Sequence, residues 1–308
     1  MSVNPEAIET PPALSVPLKL VCSEVWGGNR LIDAPIELPG IRGRIYSQPC
    51  GGGEGGDVHY LAVCGSGALA RLWVGDVVGH GAAVAQISNE IHGLLQRYMH
   101  QPDQRRVLSD FNKRLQQIGF DAITTAAAAT YNALKQELSI SYAGHPPGWF
   151  YESQRGRWIR LGIDAPRTPG EIADIPLAVE TNTIYNRRRH KVQTGDRLVL
   201  VTDGVLEAPN GKGELYGADG VQGILEQYAQ AEPADLAAAL LDSLRRFGPQ
   251  SMTHDDVTLL VAEFVPEPRS VAIWHMLKNR VLRPRGNSTD PAFDDPRAMQ
   301  PEQAPVTK

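Results

Sequence analysis

Five aspartates in this sequence stand where an apolar run begins or ends. Asp57 closes Gly55-Gly56-Asp57 ahead of Val58–Cys64. Asp76 closes Leu72-Trp73-Val74-Gly75-Asp76, and Asp203 closes the run from Leu198, with Gly204 behind it. Asp255 and Asp256 lead into Val257–Phe264. An Asp at the end of a strand can project from a sheet rim, and a neighbouring glycine lets backbone, water or substrate approach it. Several such rims brought together make an all-oxygen site, which suits Mg²⁺ or Mn²⁺ better than zinc. Without ions, clustered carboxylates raise one another's pKa values. Two ions sharing a carboxylate sit roughly 3.5–4 Å apart and can activate a water between them. Phosphate-monoester hydrolysis is among the slowest uncatalysed reactions, and that chemistry addresses its barrier.

A single Gly-Asp is an ordinary turn. The weight lies in four segments that each abut an apolar run, so the elements carrying them matter. Strand patterning covers Val58–Cys64, Ala70–Val74, Ala126–Tyr131, Leu138–Tyr142, Trp149–Tyr151, Trp158–Leu161, Arg197–Val201 and Val257–Phe264. Helical spacing covers Ala82–Met99, Gln104–Ile118, Val221–Gln230 and Ala234–Phe247. Strands come in consecutive runs broken by a helix pair, not in strict alternation with helices. That order predicts an α+β fold of packed antiparallel sheets with helices outside.

With 42% hydrophobic and 21% charged residues, the 308-residue chain can bury a sizeable core. A net charge of -5 argues against a nucleic-acid binder. Cys22, Cys50 and Cys64 fit no zinc spacing and read as free thiols in a reducing compartment. No signal-peptide pattern opens the chain, and no apolar run approaches the roughly 20 residues of a membrane span, so the cytoplasm is expected. Residues 1–17 read as a flexible lead, 18–265 as one domain, and 266–308 as a Pro-rich, largely disordered tail with a short helix at Val271–Leu282.

Several blocks resemble, in order, the SpoIIE/RsbU-like branch of the PPM (protein phosphatase 2C-type) metal-dependent Ser/Thr phosphatases. They are GGDVHY at Gly55–Tyr60, VGDVVGHG at Val74–Gly81, SYAGHPPGWF at Ser141–Phe150, GDRLVLVTDGVLEAPNGKGELYG at Gly195–Gly217 and HDDVTLLV at His254–Val261. The long fourth block followed by Asp-Asp-Val-Thr is the most specific. The resemblance implies an α-β-β-α sandwich with two metal ions, Mg²⁺ or Mn²⁺, at one rim. It implies Asp76 as bridging ligand beside the Val77 carbonyl, Asp203 and Asp255 as ligands from the other side, and Asp57 holding metal or its water. Asp256 falls in an outer position or exchanges roles with Asp255. The implied substrate is a phosphorylated partner protein, such as the antagonist of an anti-sigma factor. The helix pair 82–118 resembles a switch on which a separate activator acts.

The departures are specific. Val78 stands where the family often has Ser and where eukaryotic relatives carry a proton-donating His, so the leaving group would take its proton from water. His80 reads as part of a Gly-rich turn, His145 as a structural residue in the Ala143-Gly-His-Pro-Pro147 turn, and Asn186–Lys191 as a solvated basic face. Glu207 reads as a loop anchor. All of the carboxylates are present, which favours an active enzyme over a catalytically silent phosphoprotein-binding module of the same fold. No Gly-x4-Gly-Lys-Ser/Thr pattern supports nucleotide chemistry.

Overall fold

The computed structural model describes residues 16–20, 24–51, 53–64, 67–78, 82–98, 100–162 and 173–266. Cys22, His80, nearly all of the lead and the tail with its expected helix at 271–282 lie outside the described residues. In chain order the strands are β1 (Leu18–Lys19), β2 (Glu24–Arg30), β3 (Ile32–Leu38), β4 (Ile41–Gln48), β5 (Glu54–Val63) and β6 (Leu69–Val77). After helices α1 (Ala82–Arg97) and α2 (Gln104–Gln116) come β7 (Thr124–Asn132), β8 (Glu137–Ala143), β9 (Trp149–Glu152), β10 (Arg157–Arg160), β11 (Arg188–Lys191) and β12 (Arg197–Val201). Helices α3 (Asp203–Leu206), α4 (Gly217–Gln227) and α5 (Pro233–Phe247) precede β13 (Val257–Phe264).

The strands form two sheets, of order β1-β3-β4-β13-β12-β9-β10 and β11-β8-β7-β6-β5-β2. Every pairing between these strands is antiparallel except that of β1 with β3. Period-two alternation sorts their side chains into layers. Leu61, Leu72, Val74, Ala127, Leu200, Leu260 and Phe264 face inward and fill the space between the sheets. Trp149, Val199, Leu259 and Val261 face outward beneath α4 and α5. Tyr60, Trp73, Ala126 and Ala128 face outward beneath α1 and α2. Both faces of β13 are covered, so all eight of its residues are buried and, Thr258 and Glu263 apart, they are apolar. The result is the expected α-β-β-α sandwich. Each large buried side chain contributes about 1.5–3 kcal/mol relative to exposure.

Helix ends follow local chemistry. The Asp103 side chain caps α2 by accepting the Arg105 amide at 3.2 Å, and Pro233 opens α5, where its missing N–H costs nothing. Arg71 lies buried in β6 and reaches the corner after α1. Its guanidinium donates to the Tyr98 carbonyl at 3.2 Å and the Gln101 carbonyl at 2.6 Å.

Some expectations need correction. Asp57 and Asp76 lie inside β5 and β6, because pairing continues through both residues to the rim. Strands β2, β3 and β4 were not expected from a stretch punctuated by Gly27, Gly28, Pro35, Gly40 and Gly43. Gly43 is there because a Cβ would strike the Val261 carbonyl of the paired strand. The basic run contains β11, and its charges are partnered: Arg187 with Asp103, Arg188 with Asp174, and Arg189 and Lys191 with Glu137.

Candidate functional site

Asp57 on β5 and Asp76 on β6 are direct cross-strand partners, and Thr125 on β7 stands opposite Asp76. By the alternation that turns Leu61, Leu72 and Val74 inward, both carboxylates belong to the inner face of the smaller sheet, where its apolar filling stops. The larger sheet supplies the others. Thr202 follows β12, Asp203 opens α3, and Asp255 and Asp256 lead into β13, which pairs with β12. Both sheets thus bring carboxylates within range of one another's charge. Asp76 acts on Asp57; Asp203, Asp255 and Asp256 act on Asp76; Asp255 acts on Asp203.

Backbone and hydroxyl groups hold this arrangement. Thr202 Oγ1 donates to Asp57 Oδ2 at 2.7 Å and accepts the Thr258 amide at 3.1 Å, tying one sheet to the other. The Asp256 carboxylate accepts backbone N–H groups from Cys50 at 2.5 Å, from Gly56, and from Asp57 at 3.0 Å. It is buried and committed to the start of β5. Asp255 is exposed, and its Oδ1 accepts only a local bond from the Asp256 amide at 2.8 Å. Two motif glycines follow from close approach: a Cβ at Gly55 would strike the Asp256 carboxylate, and one at Gly204 would strike the Asp256 carbonyl.

Electrostatics follow from burial and like charge. Burial, with Asp76 and Asp256 nearby, pushes the Asp57 carboxyl well above the usual range despite its bond from Thr202. Burial first, and then three neighbouring aspartates, push Asp76 up to about 7. Asp203 is raised by burial, Asp255 and Glu207. Groups so placed favour a proton or a cation. The donor set, carboxylates with no sulfur or imidazole among them, fits a hard divalent ion. Among the described residues no three His, Cys, Asp or Glu side chains close around one point. Mg²⁺ suits such openness, since it is commonly held by one or two carboxylates and keeps several waters.

The remaining expected residues fall as follows. Val77 is buried at the last position of β6, and Val78 is 53% exposed, with no proton to give. Glu207 is exposed one turn beyond Asp203. His145 is buried behind Thr125, with Nδ1 3.5 Å from the threonine hydroxyl, and burial holds it down at about 3. Thr202 and Thr258 went unrecognised as site residues. Their signal lay in the sequence, since each adjoins the motif carboxylates in Thr202-Asp203 and Asp255-Asp256-Val257-Thr258.

Residues 66–265 match the family described as Stage II sporulation protein E. The chain belongs to the SpoIIE family. A curated relative is phosphoserine phosphatase RsbU of Bacillus subtilis (strain 168), 26% identical over 196 residues, which are 62% of this chain and 54% of RsbU. The chain thus spans about half the length of that relative. Solved folds agree. The PP2C phosphatase domain with a fragment of the regulatory domain of SpoIIE from Bacillus subtilis matches with a TM-score of 0.59 at 16% identity, covering 78% of this chain and 63% of that one. RsbX in complex with magnesium matches with a TM-score of 0.55 at 15% identity, covering 76% of this chain and all of RsbX. These likenesses establish the fold that SpoIIE-family members share with PP2C phosphatases.

Proposed function

We propose that this chain is a divalent-metal-dependent phosphatase that removes phosphate from serine or threonine of a partner protein. The observation carrying this reading is the convergence of Asp57, Asp76, Asp203 and Asp255 from two sheets on one rim, where the charges raising Asp76 are further aspartates. Those four residues would hold two ions, with the Val77 carbonyl beside Asp76. RsbX binds magnesium on the same fold, which supports Mg²⁺ or Mn²⁺ here. Such ions lower the pKa of water and offset charge on phosphoryl oxygens.

The chain's own residues supply the rest. Thr202 fixes the rotamer of Asp57. Asp256, occupied by three backbone amides, holds β5 in place, which supports Asp255 as the direct ligand of the pair. Val78 offers no proton, so the leaving serine or threonine oxygen takes one from solvent. The name of RsbU supports a phosphoserine substrate, and the family resemblance supports an anti-sigma-factor antagonist as that partner.

The deciding experiment incubates the protein with p-nitrophenyl phosphate and a phosphoserine peptide, in Mn²⁺ or in EDTA, beside Asp203→Asn. Turnover that requires metal and is lost in the variant is expected. Hydrolysis indifferent to chelation and to the substitution would end this reading. Helix α1 starts five residues after Val77 and α2 follows it, which supports the pair as the element a separate activator moves. Substituting exposed Gln86 and Gln96 on α1 should then change activated but not basal rates; wild-type rates throughout, with and without activator, would exclude it.

A further inference from the structure

The smaller sheet brings a third polar side chain into line with the two rim carboxylates it carries. Strands β5, β6 and β7 set Asp57, Asp76 and Thr125 directly opposite one another. Residues paired in this way share a face and hold their Cβ atoms about 4.5–5.5 Å apart. Thr125 therefore flanks Asp76 on one side as Asp57 does on the other, and it is half-buried there.

Behind Thr125 stands His145, buried in the turn that follows β8. Residues 174–177 strap this turn to β7. The Gly144 amide donates to the Asp174 carbonyl at 2.6 Å, and Leu177 exchanges hydrogen bonds of 2.8 and 3.3 Å with Thr124. Gly144 itself forms a bridge with Ala126. Its φ is 66°, and a Cβ there would strike Pro176, so only glycine fits. The backbone thus delivers the imidazole to one place, with Nδ1 3.5 Å from Thr125 Oγ1.

The direction of that contact follows from the other ring nitrogen. Burial holds the His145 pKa down at about 3, so the ring is neutral and carries one N–H. Nε2 is buried and has no hydrogen-bond partner. A buried N–H is left unmet more rarely than a buried acceptor. The proton therefore belongs on Nδ1, which donates to Thr125 Oγ1. With that oxygen accepting from His145, the threonine's own proton turns elsewhere, and the acceptor beside it in the row is the Asp76 carboxylate.

We propose that Thr125 is a positioning residue of the rim: His145 donates to its hydroxyl, the hydroxyl donates to Asp76, and this directed chain orients the carboxylate toward the ion it holds. This rests on the metal-dependent reading of the rim. Carboxylates that ligate metals are themselves hydrogen-bonded, and losing such a partner typically costs about tenfold to a hundredfold in metal affinity or activity. Asp57 shows the same device, since Thr202 donates to it from the other sheet. Thr125 serves Asp76 from within its own sheet.

The test uses the full chain. Titration calorimetry gives Mn²⁺ affinity, and melting in EDTA shows whether each variant folds. Thr125→Val keeps the shape and removes the hydroxyl, and it should weaken Mn²⁺ by about tenfold or more. Thr125→Ser returns the hydroxyl and should recover most of that loss. His145→Phe should weaken Mn²⁺ while Thr125 is present and add nothing in the Thr125→Val background, because His145 acts through the hydroxyl. A role in folding alone would lower the melting temperature and leave Mn²⁺ affinity unchanged. That result overturns the proposal, as do losses from the two substitutions that simply add. ¹⁵N NMR of the histidine-labelled, unsubstituted protein reads the tautomer without any variant or metal. A proton on Nδ1, with a resonance that shifts in Thr125→Val, is expected; a proton on Nε2 overturns the proposal. If the unsubstituted protein binds no Mn²⁺ and releases no phosphate, the phosphatase reading falls, and the tautomer decides on the chain by itself.

Discussion

Asp76 is one of three raised carboxyls at the rim. A carboxyl raised to about 7 keeps its proton near neutrality until something positive replaces it. Metal binding needs the ionised form and releases that proton, so apparent Mn²⁺ affinity should rise about tenfold between pH 6 and pH 8 if one proton is displaced. Titration calorimetry in buffers of different ionisation enthalpy measures both numbers. Stability has the opposite slope without metal. The unfolded group ionises near 4, so the native state binds the extra proton between about 4 and 7, and the stabilisation it contributes below 4 is lost as pH rises through 7. In EDTA the melting temperature should fall across that window, and Asp76→Asn should flatten the fall. Asp256 behaves differently because its work is structural. Asp256→Ala leaves three backbone donors, one at Cys50 and two on β5, without their acceptor and should cost about 3 kcal/mol or more in denaturant unfolding. The motif carboxylates could be read from sequence because Gly-Asp at the end of an apolar run is a local signal. The threonines beside them mark their place by adjacency alone; that Thr202 reaches Asp57 depends on one sheet facing the other across a gap that no spacing encodes.

Among elements, the strands with both faces covered were the easiest to foresee. β12 and β13 are buried at every position and mostly apolar, and β6 and β7 carry the rim on short, well-packed runs. β2, β3 and β4 went unforeseen because glycine, proline and charge interrupt them, and pairing with β5 and β13 overrides those local preferences. β11 was hidden for a related reason: its charges look like a solvated surface until Asp103, Asp174 and Glu137 are brought to them from elsewhere. The helix pair was legible from its period, but its attachment was not. Arg71 is 5% exposed, and burial lowers it to about 10, with backbone carbonyls at the end of α1 as its acceptors. Arg71→Met should lower stability by about 2–3 kcal/mol through those unmet acceptors. Hydrogen exchange should speed up in the last turn of α1 while β6 stays protected; uniform protection in the variant would show that the corner is held by packing alone.

For the molecule as a whole, fold class could be argued from the order of strands and helices, because consecutive strand runs exclude a parallel α/β sheet. The pairing order could not, because β4 meets β13 across more than 200 residues of sequence. Joining the first strands to the last completes the larger sheet, and the site lies at the seam between it and the smaller one. Ligand binding at that seam should be felt globally. Mn²⁺ at a hundred times its dissociation constant should stabilise the fold by about 2.7 kcal/mol in one cooperative transition. Calorimetry with and without EDTA checks this, and Asp203→Asn should abolish the difference.

Arg71, reaching from β6 to the corner after α1, also sets a mechanical ratio. A 16-residue helix is about 24 Å long. Fastened at its far corner and packed on the sheet through Val84 and Ile87, it is an arm whose first turn lies toward the carboxylates in sequence. A tilt of about 5° would carry that first turn about 2 Å, close to the full length of a bond between an oxygen and Mg²⁺. Small displacements of the middle of such an arm would therefore be enlarged at its first turn, while the pinned corner hardly stirs.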